Sequence, residues 1–496
     1  MAVLEEAVRM AITLRNYIGG EWVESRGELL DVVNPATCRT IARVPVSTEE
    51  ELDAAVEAAK TASTDWRKTT VLSRARLLFR LKELIETHFE EVSRIQTQEH
   101  GKTIDESRGE TRRGIENVEA ACGIPMMMQG VHSQNVYTGI DEWVVPTPLG
   151  VFGIIGPFNF PWMIPLWSAP YAVAAGNCIV VKPSSEVPIS QCRLAELVEE
   201  AGFPAGVWNL VNGGRSVVSA MLDHPDIAGI TFVGSTPTGR DTVYKRCGET
   251  GKRAIAQCGA KNFMTIMPDC DEARTVAAMM TSFFGNAGQR CLAAANCVVV
   301  GRDDRSYQAF VDSVVKTASG IRMGYGLDES VQLGPMRDRA KKDRVLRYIE
   351  RGVNDGAKLR LDGRLAKIVG DYPNTCFLGP TILEDVDPTS IVGSEEIFGP
   401  VMAIMRVASL DEAIAIANAN PFGNGHSIFT ASGRSARHFV ENVESGNVGV
   451  NIGVAAPAAI FPFGGMKASF YGTLHTQGQD AIRFFTESKV VIQRWF

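Results

Sequence analysis

The sequence predicts an α/β protein with doubly wound, mostly parallel sheets, arranged as two successive α/β halves plus detached β-rich pieces. Three observations predict it. At 496 residues the chain exceeds what one hydrophobic core supports. Short apolar runs alternate with helix-like segments, the pattern of parallel β–α units. The rhythm restarts after Phe263, which sets a second half behind the first.

The elements follow in order. Glu5 and Glu6 before Arg9 predict a short surface helix at the N-terminus, not a signal or transit peptide. Residues 14–35 predict a hairpin turning at Gly19-Gly20. Leu52, Val56 and Ala59 recur at helical spacing in a block expected to run from Glu49 to about Glu99. Gly153–Gly156, Cys178–Val181, Val207–Val211 and Gly229–Val233 are the first set of strands. In the second half Ala295–Val300 reads as a strand and Arg305–Ser319 as a helix. The β-rich runs from Glu142 and from Ser488 belong to neither half by pattern. The most apolar stretch, Val151–Val181, is interrupted by Pro157, Pro161, Pro165, Pro170 and Asn177, which argues against a membrane span.

Composition narrows the class. Apolar residues at 45% describe an ordinary globular enzyme. A net charge of −7 argues against nucleic acid as a partner, since phosphate binding needs a basic face. Ten scattered cysteines without a CxxC indicate neither a disulfide framework nor a metal site, and point to a reducing, cytoplasmic compartment.

The run Phe284-Gly-Asn-Ala-Gly-Gln-Arg-Cys-Leu-Ala293 carries the clearest chemistry. Arg290 directly precedes Cys291, and a neighbouring guanidinium is expected to favour the reactive thiolate. Asn159, in Gly156-Pro-Phe-Asn-Phe-Pro161, offers an amide donor for an oxyanion, or else a cap for the next helix. Phe232-Val-Gly-Ser-Thr-Pro-Thr-Gly239 is a strand, a glycine turn and a helix start, where backbone N–H groups can hold a phosphate. Lys182 ends another strand, placed to meet a ribose or to lie on the surface. The acidic turn Glu395–Pro400 suits a second ribose contact or a solvated loop.

Taken in order, these runs, with Gly259-Ala-Lys261, Asn451 and Pro462-Phe-Gly-Gly-Met-Lys467, resemble the aldehyde dehydrogenase superfamily over roughly residues 14–492. The resemblance implies a Rossmann-like cofactor domain (1–135 and 155–263), an α/β catalytic domain (264–477) and a β-rich oligomerisation arm (136–154 and 478–496). It implies Cys291 as nucleophile, with Asn159 and the Cys291 N–H holding the oxyanion. It also implies cofactor contacts from Phe158, Lys182, Ser185, Glu186, Gly234, Ser235, Glu396 and Phe398, no metal, and a dimer or tetramer of identical chains.

One departure sharpens the reading. Hydrolytic members carry a glutamate base where Ile255-Ala-Gln-Cys-Gly-Ala-Lys261 places Gln257, and glutamine cannot take a proton from water. A thiol such as coenzyme A needs less activation, because its thiolate is a strong nucleophile. The chain is most similar to the CoA-acylating methylmalonate-semialdehyde branch, although that branch usually has asparagine at this position. Arg113 and Arg290 match arginines associated there with a substrate carboxylate, so a small acidic aldehyde is the expected substrate. The alternative is oxidation of another short acidic semialdehyde to the free acid. NAD is the expected cofactor. Ser185 stands where NAD-using relatives often have a ribose-binding glutamate, which leaves NADP open.

Overall fold

The computed structural model describes residues 12–496. The N-terminal helix expected around Glu5–Arg9 lies outside the described residues.

Eight strands form the first sheet, in the order Phe470–Gly472, Arg253–Gln257, Ile227–Val233, Val151–Ile155, Cys178–Lys182, Trp208–Leu210, Asn16–Ile18 and Glu21–Val23. The five central strands are parallel, and the remaining three run antiparallel to their inner neighbours. Strands parallel and covered on both sides must be apolar throughout. Val151–Ile155 and Cys178–Lys182 are indeed buried at every residue. The chain steps outward from Val151–Ile155 through two strands, then returns to its other side with Ile227–Val233. That reversal leaves a crevice beyond the carboxyl ends of the two strands, the usual ligand position in such sheets. Gly156–Asn159 and Gly234-Ser235 emerge there.

Seven strands form the second sheet, ordered Lys358–Leu361, Thr381–Glu384, Val401–Val407, Ala294–Val300, Asn262–Ile266, Gly425–Phe429 and Asn447–Val450. All but the first run parallel. Cys258–Lys261 carries the chain from the first sheet to the second, between Arg253–Gln257 and Asn262–Ile266, and the chain returns after Asn447–Val450 to add Phe470–Gly472 to the first sheet. A third, three-stranded antiparallel sheet pairs Thr486–Arg494 with Ile140–Pro148 over nine residues, with His132–Tyr137 outside. The two β-rich runs that fitted neither half thus pair with each other.

The block expected to be continuous from Glu49 is three helices: Glu49–Trp66, Val71–Thr87 and Phe89–His100. The breaks have local causes. Thr48 caps the first helix reciprocally with Glu51, and Thr70 accepts the Ser73 N–H to start the second. The hairpin expected in residues 14–35 is found at its turn: Asn16–Ile18 and Glu21–Val23 pair antiparallel and flank Gly19-Gly20, both with positive φ. Among the described residues no helix is long and apolar enough to cross a membrane.

Candidate active site

Cys291 follows the turn Gly285–Gly288 and precedes strand Ala294–Val300. Its carbonyl accepts hydrogen bonds from the side-chain amides of Asn262 and Asn424, both at 2.8 Å, which fix the peptide that carries the thiol. The turn before it is strained, because Asn286 and Ala287 hold φ of 54° and 50°. Asn286 offsets that strain with amide bonds to the Asn159 and Gln289 carbonyls, each 3.2 Å. Asn159 is buried, and its Nδ2 donates to the Gln289 carbonyl at 3.0 Å, leaving its second amide hydrogen available. The turns bearing Asn159 and Cys291 are therefore stitched together.

Asn159 does not cap the following helix. Glu110 does so, its Oε1 accepting the N–H groups of Trp162 and Met163 at 2.9 and 3.1 Å. The other Glu110 oxygen pairs with the fully buried Lys102, whose Nζ also donates to the Asn159 carbonyl at 2.7 Å. Sequence reading missed Lys102 and Glu110. Nothing in their spacing announces an ion pair, which forms only because the helix after Thr103 folds back over the Asn159 turn.

The thiol opens on a cavity of about 400 Å³ shared with Arg113, Arg290, Trp167 and Phe463. That volume suits a small molecule. Arg290 does not activate the thiol as expected. Its guanidinium is turned away to Glu106, 3.0 Å, and toward the Thr281 carbonyl. Burial, and secondly the Glu396 charge, push the Cys291 thiol up to about 12. Glu106 in turn accepts the Asn286 and Thr103 N–H groups, so Arg290 belongs to a network bracing the nucleophile turn. Arg113 pairs with Glu116 at 2.8 Å and donates to the Pro457 carbonyl, and still lines the cavity.

Gln257 is buried behind the cavity wall. Its Nε2 donates to the Phe463 carbonyl at 3.1 Å and to Thr476 Oγ1 at 2.7 Å. The Gly234 N–H donates to its carbonyl at 3.0 Å, tying it to the glycine turn.

A second group of candidates lies outside that cavity. Lys182 is 7% exposed rather than a surface lysine, and burial lowers it to about 8. Among the described residues its ammonium has no hydrogen-bond partner. Glu396 is held, not solvated: Oε1 accepts the Ala260 N–H at 2.9 Å, and burial raises its carboxyl. Phe398, at φ 58°, meets Phe158 edge-on at 5.9 Å. The opposite neighbours of Phe158 are His100, stacked at 6.2 Å, and Lys341, 4.4 Å from the ring centre. Glu186 is engaged by Lys341 at 2.8 Å, while Ser185 beside it is half-buried. Ser235 Oγ donates to Thr238 Oγ1 at 3.0 Å where the π-helix Thr238–Tyr244 begins. A larger recess, about 620 Å³, lies between the arm and the first sheet and holds no candidate nucleophile.

Comparison with known proteins decides the family, since the Aldehyde dehydrogenase family profile matches residues 22–491. The chain belongs to the aldehyde dehydrogenase family. This aldehyde dehydrogenase is 48% identical over 484 residues to malonate-semialdehyde dehydrogenase 2 of Geobacillus kaustophilus, covering 97% of this chain and 99% of that protein. It is 46% identical over 483 residues to malonate-semialdehyde dehydrogenase 1 of Shouchella clausii, covering 97% of each. The crystal structure of methylmalonate-semialdehyde dehydrogenase from Oceanimonas doudoroffii superposes with a TM-score of 0.95 at 40% identity, covering 98% of both chains. A Sinorhizobium meliloti protein solved in complex with NAD gives 0.96 at 38% identity, covering 98% of this chain and 99% of that one. The dehydrogenase thus has the expected fold class, and it is an oxidoreductase acting on aldehydes.

Proposed function

We propose that this aldehyde dehydrogenase oxidises malonate or methylmalonate semialdehyde to acetyl- or propionyl-CoA, with NAD as cofactor, CoA as acyl acceptor and loss of carbon dioxide. The observation that carries the reading is one cavity of about 400 Å³ lined by a cysteine and two arginines, with room for a small acidic aldehyde. The names of the relatives support the same substrate class.

The residues at the sheet crevice fit NAD. The unpartnered ammonium of the largely buried Lys182, the Gly234-Ser235 turn at a helix start, and Glu396 supply donors and acceptors for ribose and phosphate. When bound, NAD supplies the acceptor for the aldehyde hydride. Cys291 attacks the carbonyl carbon. The free Asn159 amide hydrogen and the Cys291 N–H stabilise the oxygen that becomes negative, a contribution of about 3–4 kcal/mol per donor in comparable sites. Arg113 offers the substrate carboxylate a charged partner, while Arg290 lines the same cavity with its guanidinium paired to Glu106.

Release of the acyl group falls to CoA because Gln257 has no proton-accepting oxygen of useful basicity. The relatives' NAD complex supports NAD, and Ser185 carries no charge to repel a 2′-phosphate. The arm exposes Val490, Ile492 and Trp495, which supports assembly as a dimer or tetramer; the ten unpaired cysteines of the chain support a reducing cytoplasm. Steady-state NADH formation with malonate semialdehyde, methylmalonate semialdehyde and propanal, each with and without CoA, tests the reading. One rapid equivalent of NADH followed by a stall, relieved by CoA with thioester as product, is expected. Sustained CoA-free turnover to free acid would instead assign a non-acylating semialdehyde dehydrogenase.

A further inference from the structure

We propose that Gln257 acts as a positioning and specificity residue: its amide holds the aldehyde-cavity wall from behind and makes the site unable to use a general base there even when one is supplied. The inference rests on the acyl-transfer reading above and goes beyond an absent carboxylate.

Gln257 does not itself line the cavity, whereas Phe463 and Gln477 do. Both amide hydrogens of Gln257 are spent on that wall, one on the Phe463 carbonyl and one on Thr476 Oγ1. The orientation of the amide follows from Phe463, since a peptide carbonyl can only accept. Thr476 donates its own hydrogen to the same carbonyl at 3.2 Å, and the Phe463 N–H returns to the Thr476 carbonyl at 2.9 Å. The two wall segments are thereby closed on each other and fastened to the first sheet. The Phe463 ring packs on Trp167 at 4.2 Å, carrying the positioning to the cavity that Cys291 shares.

A glutamate at 257 meets this arrangement badly. One oxygen would face the Phe463 carbonyl, acceptor against acceptor, and Thr476 could donate to the other only by releasing Phe463. A base must also pass on the proton it takes from water. Behind Thr476 lies a void of about 10 Å³, room for roughly one water, with Ser168, Thr231 and Thr476 hydroxyls and no ionisable group in its wall. No titratable relay leads away on that side.

The test uses the full-length enzyme with NAD, malonate semialdehyde, propanal and CoA. Q257E should raise CoA-free NADH turnover by no more than a few-fold, against the roughly 10²–10⁴-fold a working base supplies. Q257A and Q257E should each raise the semialdehyde KM by about 10-fold, with the NAD KM unchanged, as expected for a lost buried hydrogen bond. T476V should share that KM rise, and T476S, which keeps the hydroxyl, should restore it. NAD-binding affinity reports whether each variant is folded. A Q257E enzyme with about 100-fold faster CoA-free turnover, or a Q257A enzyme with wild-type semialdehyde KM, overturns the inference. CoA-free turnover by the wild type overturns the acyl-transfer reading instead, and leaves the KM comparison intact.

Discussion

Burial holds the Cys291 thiol at about 12, and the Glu396 charge opposes ionisation further. Without a compensating cation the thiol is therefore a poor nucleophile at neutral pH, because the thiolate is the reactive form. Below that value each pH unit gives about ten times more thiolate. Iodoacetamide labelling of Cys291, followed by peptide mass spectrometry with the exposed Cys38 for comparison, should be slow at pH 7 and climb steeply to pH 10. NAD is expected to quicken it at fixed pH, since a positive ring bound near the thiol would favour the charged form. A flat profile, or one that NAD leaves unchanged, contradicts this account. The two cavity arginines should separate in a different experiment. Arg113 and Glu116 are about a third exposed, so Arg113→Leu should cost only about 0–1 kcal/mol of stability while raising the KM for malonate semialdehyde more than for propanal. Arg290 and Glu106 are some 85% buried, and Glu106 also serves two backbone N–H groups. Arg290→Leu should then lower stability by about 2–3 kcal/mol, somewhat under the figure for a fully buried pair. Urea melts with paired kinetics on both aldehydes measure each effect.

Three segments meet at the nucleophile turn, and one glycine sets how closely. Gly288 has φ 69°, and a Cβ there would stand 2.1 Å from the Gly399 carbonyl oxygen. The turn before Cys291 therefore packs directly on the loop that carries Glu396 and Phe398. Gly288→Ala should cost at least about 2 kcal/mol, from backbone strain and from displacement of Gly399. The same displacement should raise the NAD KM, because it moves Glu396 away from the Ala260 N–H. Unchanged thermal stability and NAD KM would show that the loop yields at no cost. The helical block from Glu49 was legible as helix but not as three helices. Periodicity averages over a break of four residues, although Thr70 followed by Ser73 is a capping pattern that local reading could have used. Strand ends were read to within two residues, because apolar runs mark the buried length of a strand and not its last hydrogen bond.

Across the whole molecule, the short linker Cys258–Lys261 leads from the mostly parallel first sheet to the second, and its Ala260 N–H is held by Glu396. The alternation of apolar runs with helices announced both sheets, since local pattern alone selects strand or helix. The order of the strands was beyond it, as was the pairing of Thr486–Arg494 with Ile140–Pro148 across more than three hundred residues. For the site, the chain itself determined the reactive residue types: a cysteine after a glycine-bearing turn, an asparagine in a proline-bounded turn, arginines at 113 and 290, and an amide where a carboxylate base belongs in hydrolytic relatives. Only the tertiary structure decided what each of them faces. It turned Arg290 to Glu106, gave the Asn159 turn to Lys102 and Glu110, and set Gln257 against Phe463 and Thr476, 206 and 219 residues away. The reason is physical: a residue's chemical type is written at its own position, whereas its charge state and hydrogen-bond partners depend on burial and on neighbours that folding alone brings close.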